Sequence, residues 1–468
     1  MKKIILLISA LVCVEATSAQ SLTLEMCREM AVENNLKIEI ASEQAASADN
    51  TMRAMRANFL PKFTASATWF GTTGALDYNI AGGYLPTFVP DLTTGELVPN
   101  VMVSNGSVVT GSDGQAVFNQ YAYFPGMDIE VTLNSVFTTS LQIEQPIYMG
   151  GKISAGYRMS KIGVELAGLN KQLTREQVIL ECDKAYWDCV RAESMVEALE
   201  LYCSTLEAFY TDIKNAVEVG MKTTNDELKV QVSLNDAELS LMKARNASSL
   251  AKMNLCHVIG LPLTRKVELA PEQSYLAELK YEGFDVSSRV EYQMLDKKIG
   301  MSEQNERVIK ADFLPNIGAV GMGGYTNGVQ VNGETMFNTT SLSGMVSVSI
   351  PIFHWGEGRN KLRAQRHASQ VLRLEQQDIA EKMQLEVQQA YNSYMEAQQE
   401  TSFVLSAQKQ AEENMRVTKD SYGAGRETLS TLLEAQTLWQ KSLTNTVDAK
   451  ARLRIAHTAY LKAIGQLE

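Results

Sequence analysis

Proline is scarce, and its absences follow a pattern. The 468 residues hold ten prolines, and none lies between positions 147 and 261 or after 351. Proline inside a helix costs about 3 kcal/mol, so these two long proline-free blocks are open to unusually long helices. No internal run of 18 apolar residues occurs, which excludes an internal transmembrane helix. Only four histidines are present, widely scattered, so a His-rich metal site is a poor reading. The six cysteines do not form a disulfide framework, because Cys13 lies in a leader-like segment and five is an odd remainder. Basic charge is in deficit: 43 Lys and Arg against 54 Asp and Glu leave a net charge of −11. That balance argues against a nucleic-acid partner, which calls for clustered Lys and Arg. Ser, His and Asp show no nucleophile elbow or paired-base spacing, so no residue is assigned as catalytic and no enzyme activity is expected. Gly150-Gly151-Lys152 and Gly356-Glu357-Gly358-Arg359 lack the spacing and the Lys-Ser/Thr pair of a phosphate loop. No cofactor and no metal are expected.

Residues 1–20 read as a secretory signal peptide. Lys2 and Lys3 precede an apolar stretch from Ile4 to Val14, and Thr17-Ser18-Ala19 supplies small residues for cleavage. Ala10-Leu11-Val12 is a poor match to the pattern that precedes a lipid-modified cysteine at Cys13. Removal of two Lys and one Glu takes the net charge from −11 to −12. The mature chain is expected to work outside the cytoplasm.

The two proline-free blocks are copies of one another. At a constant offset of 205 residues, Pro146-Ile147 matches Pro351-Ile352, Ala185-Tyr186 matches Ala390-Tyr391, and Gly220 matches Gly425. Leu228, Gln231 and Ile259-Gly260 match Leu433, Gln436 and Ile464-Gly465. Upstream, Phe59-Leu60-Pro61 matches Phe313-Leu314-Pro315 at an offset of 254, so the first copy carries 49 extra residues between its proline marks. An internal repeat outweighs any domain count based on length. The expected organisation is a first repeat over 21–262, a linker over 263–286 and a second repeat over 287–468.

Each copy mixes α and β. In the first, a helical segment from Leu22 to Asn58, broken near Asn34-Asn35, leads to an alternating segment. Phe63, Ala65, Ala67 and Trp69 lie on one face of it and Thr64, Ser66 and Thr68 on the other. A second alternating segment sets Phe137, Thr139, Leu141 and Ile143 against Thr138, Ser140, Gln142 and Glu144. The second copy has Ile317, Ala319, Gly321 and Gly323, then Leu342, Gly344, Val346 and Val348 against Ser343, Ser347 and Ser349. Period-two alternation over about ten residues is the signature of a transmembrane β-strand. Between the first two strands, the segment 71–134 is long and rich in Gly, Pro, Asn and Tyr. Asn105-Gly106 and Asp113-Gly114 predict a hairpin within it; it reads equally as an outward-facing lid or as a solvated insertion. Long helices follow the strands, from Lys152 to Val217 in the first copy, each about 95–100 Å at 1.5 Å per residue. They turn at Gly220 and Gly425 into return helices about half as long. The helices leading into the strands are needed to cover the other half of each long helix.

Four strands cannot close a barrel, and open edges inside a bilayer leave backbone groups unpaired at several kcal/mol each. Several subunits must therefore contribute strands to one barrel, with the helices continuing it as a tube.

This plan, with Tyr422-Gly423-Ala424-Gly425-Arg426-Glu427-Thr428 followed by Leu432, Leu433, Glu434, Ala435 and Gln436, resembles the TolC family of outer-membrane efflux proteins. The family pattern is roughly Tyr-x-x-Gly-x-x-Thr-x-x-Asp-x-Leu-(Asp or Glu)-Ala-Gln. The first copy has a looser version in Val217-Glu218-Val219-Gly220 with Asp226, Leu228 and Gln231. The resemblance covers about 21–468. It implies a homotrimer whose four-stranded protomers close a 12-stranded outer-membrane barrel in contact with lipid, joined to a periplasmic α-helical barrel. It also implies a periplasmic adaptor and an inner-membrane transporter as partners. The expected function is the exit duct of a tripartite efflux or type I secretion system, exporting small molecules or proteins. Two departures bear on the periplasmic end: an acidic position of the pattern is Thr431 here, and a position that is basic in some members is Glu427, beside Arg426.

A gate and an acidic constriction are expected at the turns: the resemblance implies Asp226 and Tyr422 for the closed entrance and Glu434 for an acidic ring, and the residues themselves add Glu427 to the acidic cluster and Arg426 as a charged contact between helix pairs. A hydrogen bond from the Tyr422 hydroxyl to a carboxylate would serve as its latch. The adaptor is expected to dock on the turns themselves, at Val219, Gly220, Gly423 and Gly425. Asp226 and Glu227 also have a plainer reading, since acidic residues in a first helical turn complement the helix dipole. Cys182, Cys189 and Cys203 recur at seven and fourteen residues on one helix, compatible with metal or redox chemistry or with small buried filler. The reading from another class is a periplasm-spanning coiled-coil scaffold or adhesin stalk. It accounts for the helices but not for the four alternating segments.

Overall fold

The computed structural model describes residues 21–133, 135–270 and 284–467. The expected signal peptide lies outside them, as do residues 271–283 of the expected linker. The chain divides into two compact units, and each draws on both sequence repeats. The helical unit comprises residues 21–55, Ser154–Lys310 and those from Trp355 onward; the strand unit comprises Arg56–Ile153 and Ala311–His354.

The first repeat opens with α1 (Leu24–Asn34) and α2 (Leu36–Ala57), then β1 (Lys62–Phe70). Next come β2 (Ala75–Ile80), β3 (Gly83–Pro86), β4 (Phe88–Pro90), β5 (Leu97–Pro99), β6 (Val103–Ser104), β7 (Ser107–Val108), β8 (Tyr121–Phe124) and β9 (Met127–Thr132). It closes with β10 (Val136–Met149), α3 (Lys152–Glu218) and α4 (Thr224–Val258). The second repeat runs α5 (Val290–Ala311), β11 (Asn316–Val331), β12 (Glu334–Ser349), α6 (Glu357–Gly423) and α7 (Leu429–Ala463). The two long helices are 67 residues each and the two return helices 35, so the duplication is preserved in length.

In the helical unit each long helix packs first against a leading helix and then against a return helix, while Leu374, Leu385 and Phe403 of α6 stay exposed in the single chain. Ionic and polar contacts tie α2 to the first half of α3, among them Lys37–Glu181 at 2.6 Å and Lys171–Ser42 at 3.1 Å. Beyond that, α4 takes over: Tyr202, Cys203, Leu206 and Ala237 form one buried cluster between them. In the second repeat, Ser302–Ser369 at 2.8 Å and Arg373–Glu303 at 2.8 Å join α5 to α6. The return helix α7 then covers the rest of α6, with Arg452–Glu400 at 3.1 Å. The main core gathers Cys27 and Ala31 of α1, Val178, Cys182, Tyr186 and Cys189 of α3, and Leu255, Cys256 and Val258 of α4. All five described cysteines are free and buried. Burial pushes the thiols of Cys27 and Cys189 up to about 12, and that of Cys182 higher still. All three pack in one apolar cluster, and burial disfavours their thiolate form.

The repeats also share their joints. The side chain of Asn35 donates to the Val258 carbonyl at 2.8 Å, and Arg289, 254 residues later, donates to the Ala463 carbonyl at 3.0 Å. Both therefore satisfy carbonyls left open at the end of a return helix. Gly260 follows α4 at φ +73, and a Cβ there would meet Asn34 at 2.5 Å, so no other residue fits. The start of the expected linker is not loose: Leu22 and Leu269 form a parallel bridge, and Val267 is buried in the core.

In the strand unit, β1, β10, β11 and β12 pair in that order, all antiparallel. The register sets Phe63 opposite Ile143, Ile143 opposite Gly321, and Gly321 opposite Gly344. Facing residues share a side of the sheet, so one face carries the apolar set expected from sequence, and the other is mainly polar but also holds Val320, Met322 and Met345. On the polar face Ser66 and Ser140 join their hydroxyls at 2.8 Å. The strands reach 14 and 16 residues in β10, β11 and β12, longer than the alternating segments indicate.

The segment 71–134 is not a loop with one hairpin. It is an arm of paired strands: β2 with β9, β3 with β8, β4 with β5, and β6 with β7. The Asn105-Gly106 turn closes β6 and β7 as expected, both residues having positive φ. In the second repeat the same position is a two-residue turn, Asn332-Gly333, again with positive φ at both residues.

Candidate functional site

The two turns at the end of the helical unit are built alike. Helix α3 ends at Gly220 (φ +76) and α6 at Gly425 (φ +72), left-handed positions that glycine occupies without a Cβ clash. The Met221 amide reaches back to the Ala216 carbonyl at 2.8 Å and the Arg426 amide to Ser421 at 2.9 Å, closing spare helix-end carbonyls. Each return helix then begins on a threonine. Thr223 and Asp226 form a reciprocal capping box: the Asp226 amide donates to Thr223 Oγ1 at 3.2 Å, and Asp226 Oδ2 accepts from the Thr223 amide at 3.2 Å. Oδ2 also accepts from the Thr223 hydroxyl at 2.9 Å. Thr428 caps α7 in the same way, and the residue in the place of Asp226 is Thr431, whose hydroxyl lies 2.9 Å from that of Thr428. The missing acid at Thr431 is thus a change of capping partner at an equivalent position.

The two turns meet through a small apolar cluster. Ile213, Val230 and Leu429 are buried there, with Phe209, Tyr210, Val217, Tyr422 and Leu433 around them. The Tyr422 ring stands edge-on to Phe209 at 5.7 Å between centroids, and the Lys222 ammonium lies 4.4 Å over its face. A cation over a tyrosine face is worth about 0.5–1 kcal/mol where exposed. The Tyr422 hydroxyl is buried and has no hydrogen-bond partner among the described residues.

Among the gate residues expected from sequence, the structure brings Tyr422 and the Thr223–Asp226 turn to one end of the unit but does not pair them. The Asp226 carboxylate is engaged in its own cap, and the Thr223 hydroxyl bonded to it holds its carboxyl below the usual carboxylate range, aided by Lys229 and Lys222. Glu227 receives the Tyr210 hydroxyl at 3.3 Å. Arg426 and Glu427 are exposed directly after the second turn glycine, and Glu434 is exposed on the return helix α7. Val219, Gly220, Gly423 and Gly425 are exposed at the turns, where Val219 and Met221 show 69% and 79% of their surface. Sequence reading missed Lys222, Met221, Phe209 and the capping role of Thr223. The Thr-x-x-Asp spacing carried the last of these; the aromatic and cationic contacts cross between repeats and leave no local signal.

A second polar centre lies deeper in the helical unit. Asp183 is fully buried; Arg28 binds it through Nε at 2.7 Å and Nη2 at 2.5 Å, and Thr458 donates to it at 2.8 Å. It ties α1 and α3 of the first repeat to α7 of the second. No group of three or more His, Cys, Asp or Glu side chains among the described residues is placed to hold a metal ion. No helix among them is long and apolar enough to cross a membrane.

Residues 298–466 match the family model described as outer membrane efflux protein. A search of curated proteins finds no sequence match. Solved structures match over nearly the whole chain. The CmeC outer membrane channel of Campylobacter jejuni superposes with a TM-score of 0.70 at 17% identity, over 98% of this chain and 91% of that one. The MtrE outer membrane channel of Neisseria gonorrhoeae, in its open state, gives 0.71 at 16% identity, over 95% and 89%. The outer membrane protein VceC of Vibrio cholerae gives 0.69 at 14% identity, over 94% and 96%.

Proposed function

We infer that this chain, whose second repeat belongs to the outer membrane efflux protein family, is the outer-membrane exit duct of an efflux system, extending into the periplasm. The observation that carries the reading is the four-stranded antiparallel sheet with two open edges, with the alternating apolar set on one face and a mainly polar face opposite. Such a sheet is stable in a bilayer only when other copies cover its edges. Three copies, pairing β12 of one with β1 of the next, would close a 12-stranded barrel with the apolar face toward outer-membrane lipid and the polar face toward a water-filled lumen. The polar strand faces and the buried helical stripes do not suit a scaffold or stalk, which needs no such sheet. The fold's channel relatives and the absence of catalytic spacing support passive conduction, with the cargo delivered by an inner-membrane transporter through a periplasmic adaptor.

The helix turns are the proposed periplasmic gate. The buried, unpaired Tyr422 hydroxyl favours an acceptor from a neighbouring subunit, since leaving such a group unpaired costs about 1–3 kcal/mol. Asp226, Arg426, Glu427 and Glu434 would repeat three times around the opening, and the exposed Val219, Gly220, Gly423 and Gly425 would receive the adaptor. The test is mass measurement of the purified protein in detergent with conductance recording in planar bilayers. Trimers that open discrete channels are expected. Stable monomers, or trimers that conduct nothing in any variant, would overturn the reading.

A further inference from the structure

The arm between β1 and β10 has no counterpart in the second repeat, where Asn332-Gly333 makes the same connection in two residues. The barrel therefore does not need it for closure, yet it is firmly built. Asn332 pins its base: the Asn332 amide donates to the Glu130 carbonyl at 2.8 Å, the Glu130 amide to Asn332 Oδ1 at 2.7 Å, and Asn332 Nδ2 to the Asp128 carbonyl at 3.0 Å.

Its lowest ribbon, β2 with β9, is amphipathic. Leu76 faces Val131, Tyr78 faces Ile129 and Ile80 faces Met127, while Asp77 faces Glu130 and Asn79 faces Asp128. Alternation puts the six apolar residues on one face and the carboxylates on the other. Leu76 and Tyr78 are each 68% exposed in the single chain.

The register identifies which side of the sheet that apolar face continues. Thr326 pairs with Thr339 on the polar face, and Val329 pairs two positions further along β12, at 337, so Val329 shares that face. The extra residue between them is Gly328, at φ +103, where a Cβ would stand 1.8 Å from the Ser135 carbonyl oxygen. Val331 follows Val329 by two residues and pairs with Val131. The bulge thus shifts the alternation by one. The face lined by Thr64, Gln142, Ser343 and Thr326 passes into Leu76, Tyr78, Ile80, Met127, Ile129 and Val131. On the trimeric-barrel reading, on which this inference rests, that is the lumen side. Lipid lies on the other face and cannot cover these residues.

Strand β2 lies on the same flank of the sheet as β1, the edge that would meet the next subunit. Each subunit supplies one arm, so three apolar faces surround one mouth, with Asp77, Asp128 and Glu130 turned outward to water. We propose that the β2–β9 ribbons of three copies of this chain meet through their apolar faces and close the outer mouth of the channel, as a hydrophobic constriction that excludes water when shut. The occupant of each face is another copy of the same ribbon.

Two measurements on the full chain test this. Tyr78→Cys should cross-link to dimers under mild oxidation, joining at most two of the three subunits because each carries one new thiol, while Asp77→Cys on the opposite face should remain monomeric on a denaturing gel. In intact cells, Ser343→Cys on the polar face should react with an externally added, membrane-impermeant maleimide of about 1 kDa. Labelling should be at least about tenfold faster when Leu76→Ser and Tyr78→Ser are added. The five native thiols are buried, and the unmodified chain serves as the control. Trimers of the correct mass in which Tyr78→Cys cross-links no better than Asp77→Cys would overturn the proposal and leave the exit duct standing. So would labelling unchanged by the serine pair. Failure to find trimers would overturn both.

Discussion

Replacing Arg28 with Met should destabilise the helical unit more than replacing its partner, and replacing both should restore most of the loss. The Asp183 side chain is 1% exposed and Arg28 29%. In Arg28→Met the carboxylate keeps only the Thr458 hydroxyl and cannot reach water. Breaking a buried pair from one side costs about 3–5 kcal/mol. In Asp183→Asn the remaining guanidinium already touches solvent and can turn outward, so about 2 kcal/mol is expected. In the double variant Arg28→Met with Asp183→Leu no charge is left, and the neighbours Cys27, Cys182 and Tyr186 already form an apolar wall. Thr458 can fall back on the Arg454 carbonyl, 3.4 Å away. The double variant should therefore come within about 1 kcal/mol of the unmodified protein, as buried pairs replaced by apolar residues commonly do. Heat unfolding of a large chain is commonly irreversible, so the assay is its rate at one temperature, followed by circular dichroism. Every 1.4 kcal/mol is about tenfold in rate if the contact is lost before the barrier. Arg28→Met should unfold about a thousandfold faster, Asp183→Asn about thirtyfold faster, and the double variant within about fivefold of the parent. A double variant as fast as Arg28→Met would refute the reasoning, because the cost would then lie in lost packing rather than in a stranded charge.

Other outcomes can be checked independently. Replacing Cys182, Cys189 and Cys203 with Ala or Val should leave export intact; and since burial pushes Cys27 and Cys189 up to about 12, no native thiol should react with a maleimide at pH 7.5 until the protein unfolds. Asp226→Asn should cost at most about 1 kcal/mol at neutral pH, the worth of a helix cap at an exposed site. Because the folded carboxyl is held low, the parent keeps this advantage above the ordinary carboxylate range and loses it as pH falls through the lower folded value. The two unfolding rates should therefore converge in acid. Tyr422→Phe with Asp226→Ala should raise single-channel conductance and sensitivity to large antibiotics, while Glu434→Ala should weaken block by multivalent cations. Gly425→Trp should abolish export while trimers persist, and normal export would remove the adaptor from this turn.

Much of the fold was legible because its signals are local or repeat exactly once. Proline gaps and helix-forming composition mark α3, expected from Lys152 to Val217, to within a residue, since a single internal proline would break it. Period two marks β1 and β10 because one face is apolar and the other is not. The offsets of 205 and 254 anticipate that Gly220 and Gly425 end equivalent helices, which their positive φ values bear out. The upper halves of β11 and β12 were missed, since Gly328 interrupts the alternation there. The paired strands of the arm were missed because they are short, from two to six residues.

The site was legible only in outline. Sequence determined that Tyr422, Asp226 and the turn glycines belong to the same end of the molecule, because the repeat aligns the two turns. Only the tertiary structure decided what each side chain does there. Asp226 is occupied by Thr223, three residues away, an interaction open to it as soon as the helix forms. Tyr422 lies 200 residues from Lys222 and 213 from Phe209, and no pattern of spacing encodes a contact that exists only once two separate hairpins have packed together. The same holds for the face of the arm. Leu76 and Tyr78 carry large apolar side chains, but the side of the sheet on which they stand depends on one bulged glycine at 328 and on a strand register that the chain settles only by pairing.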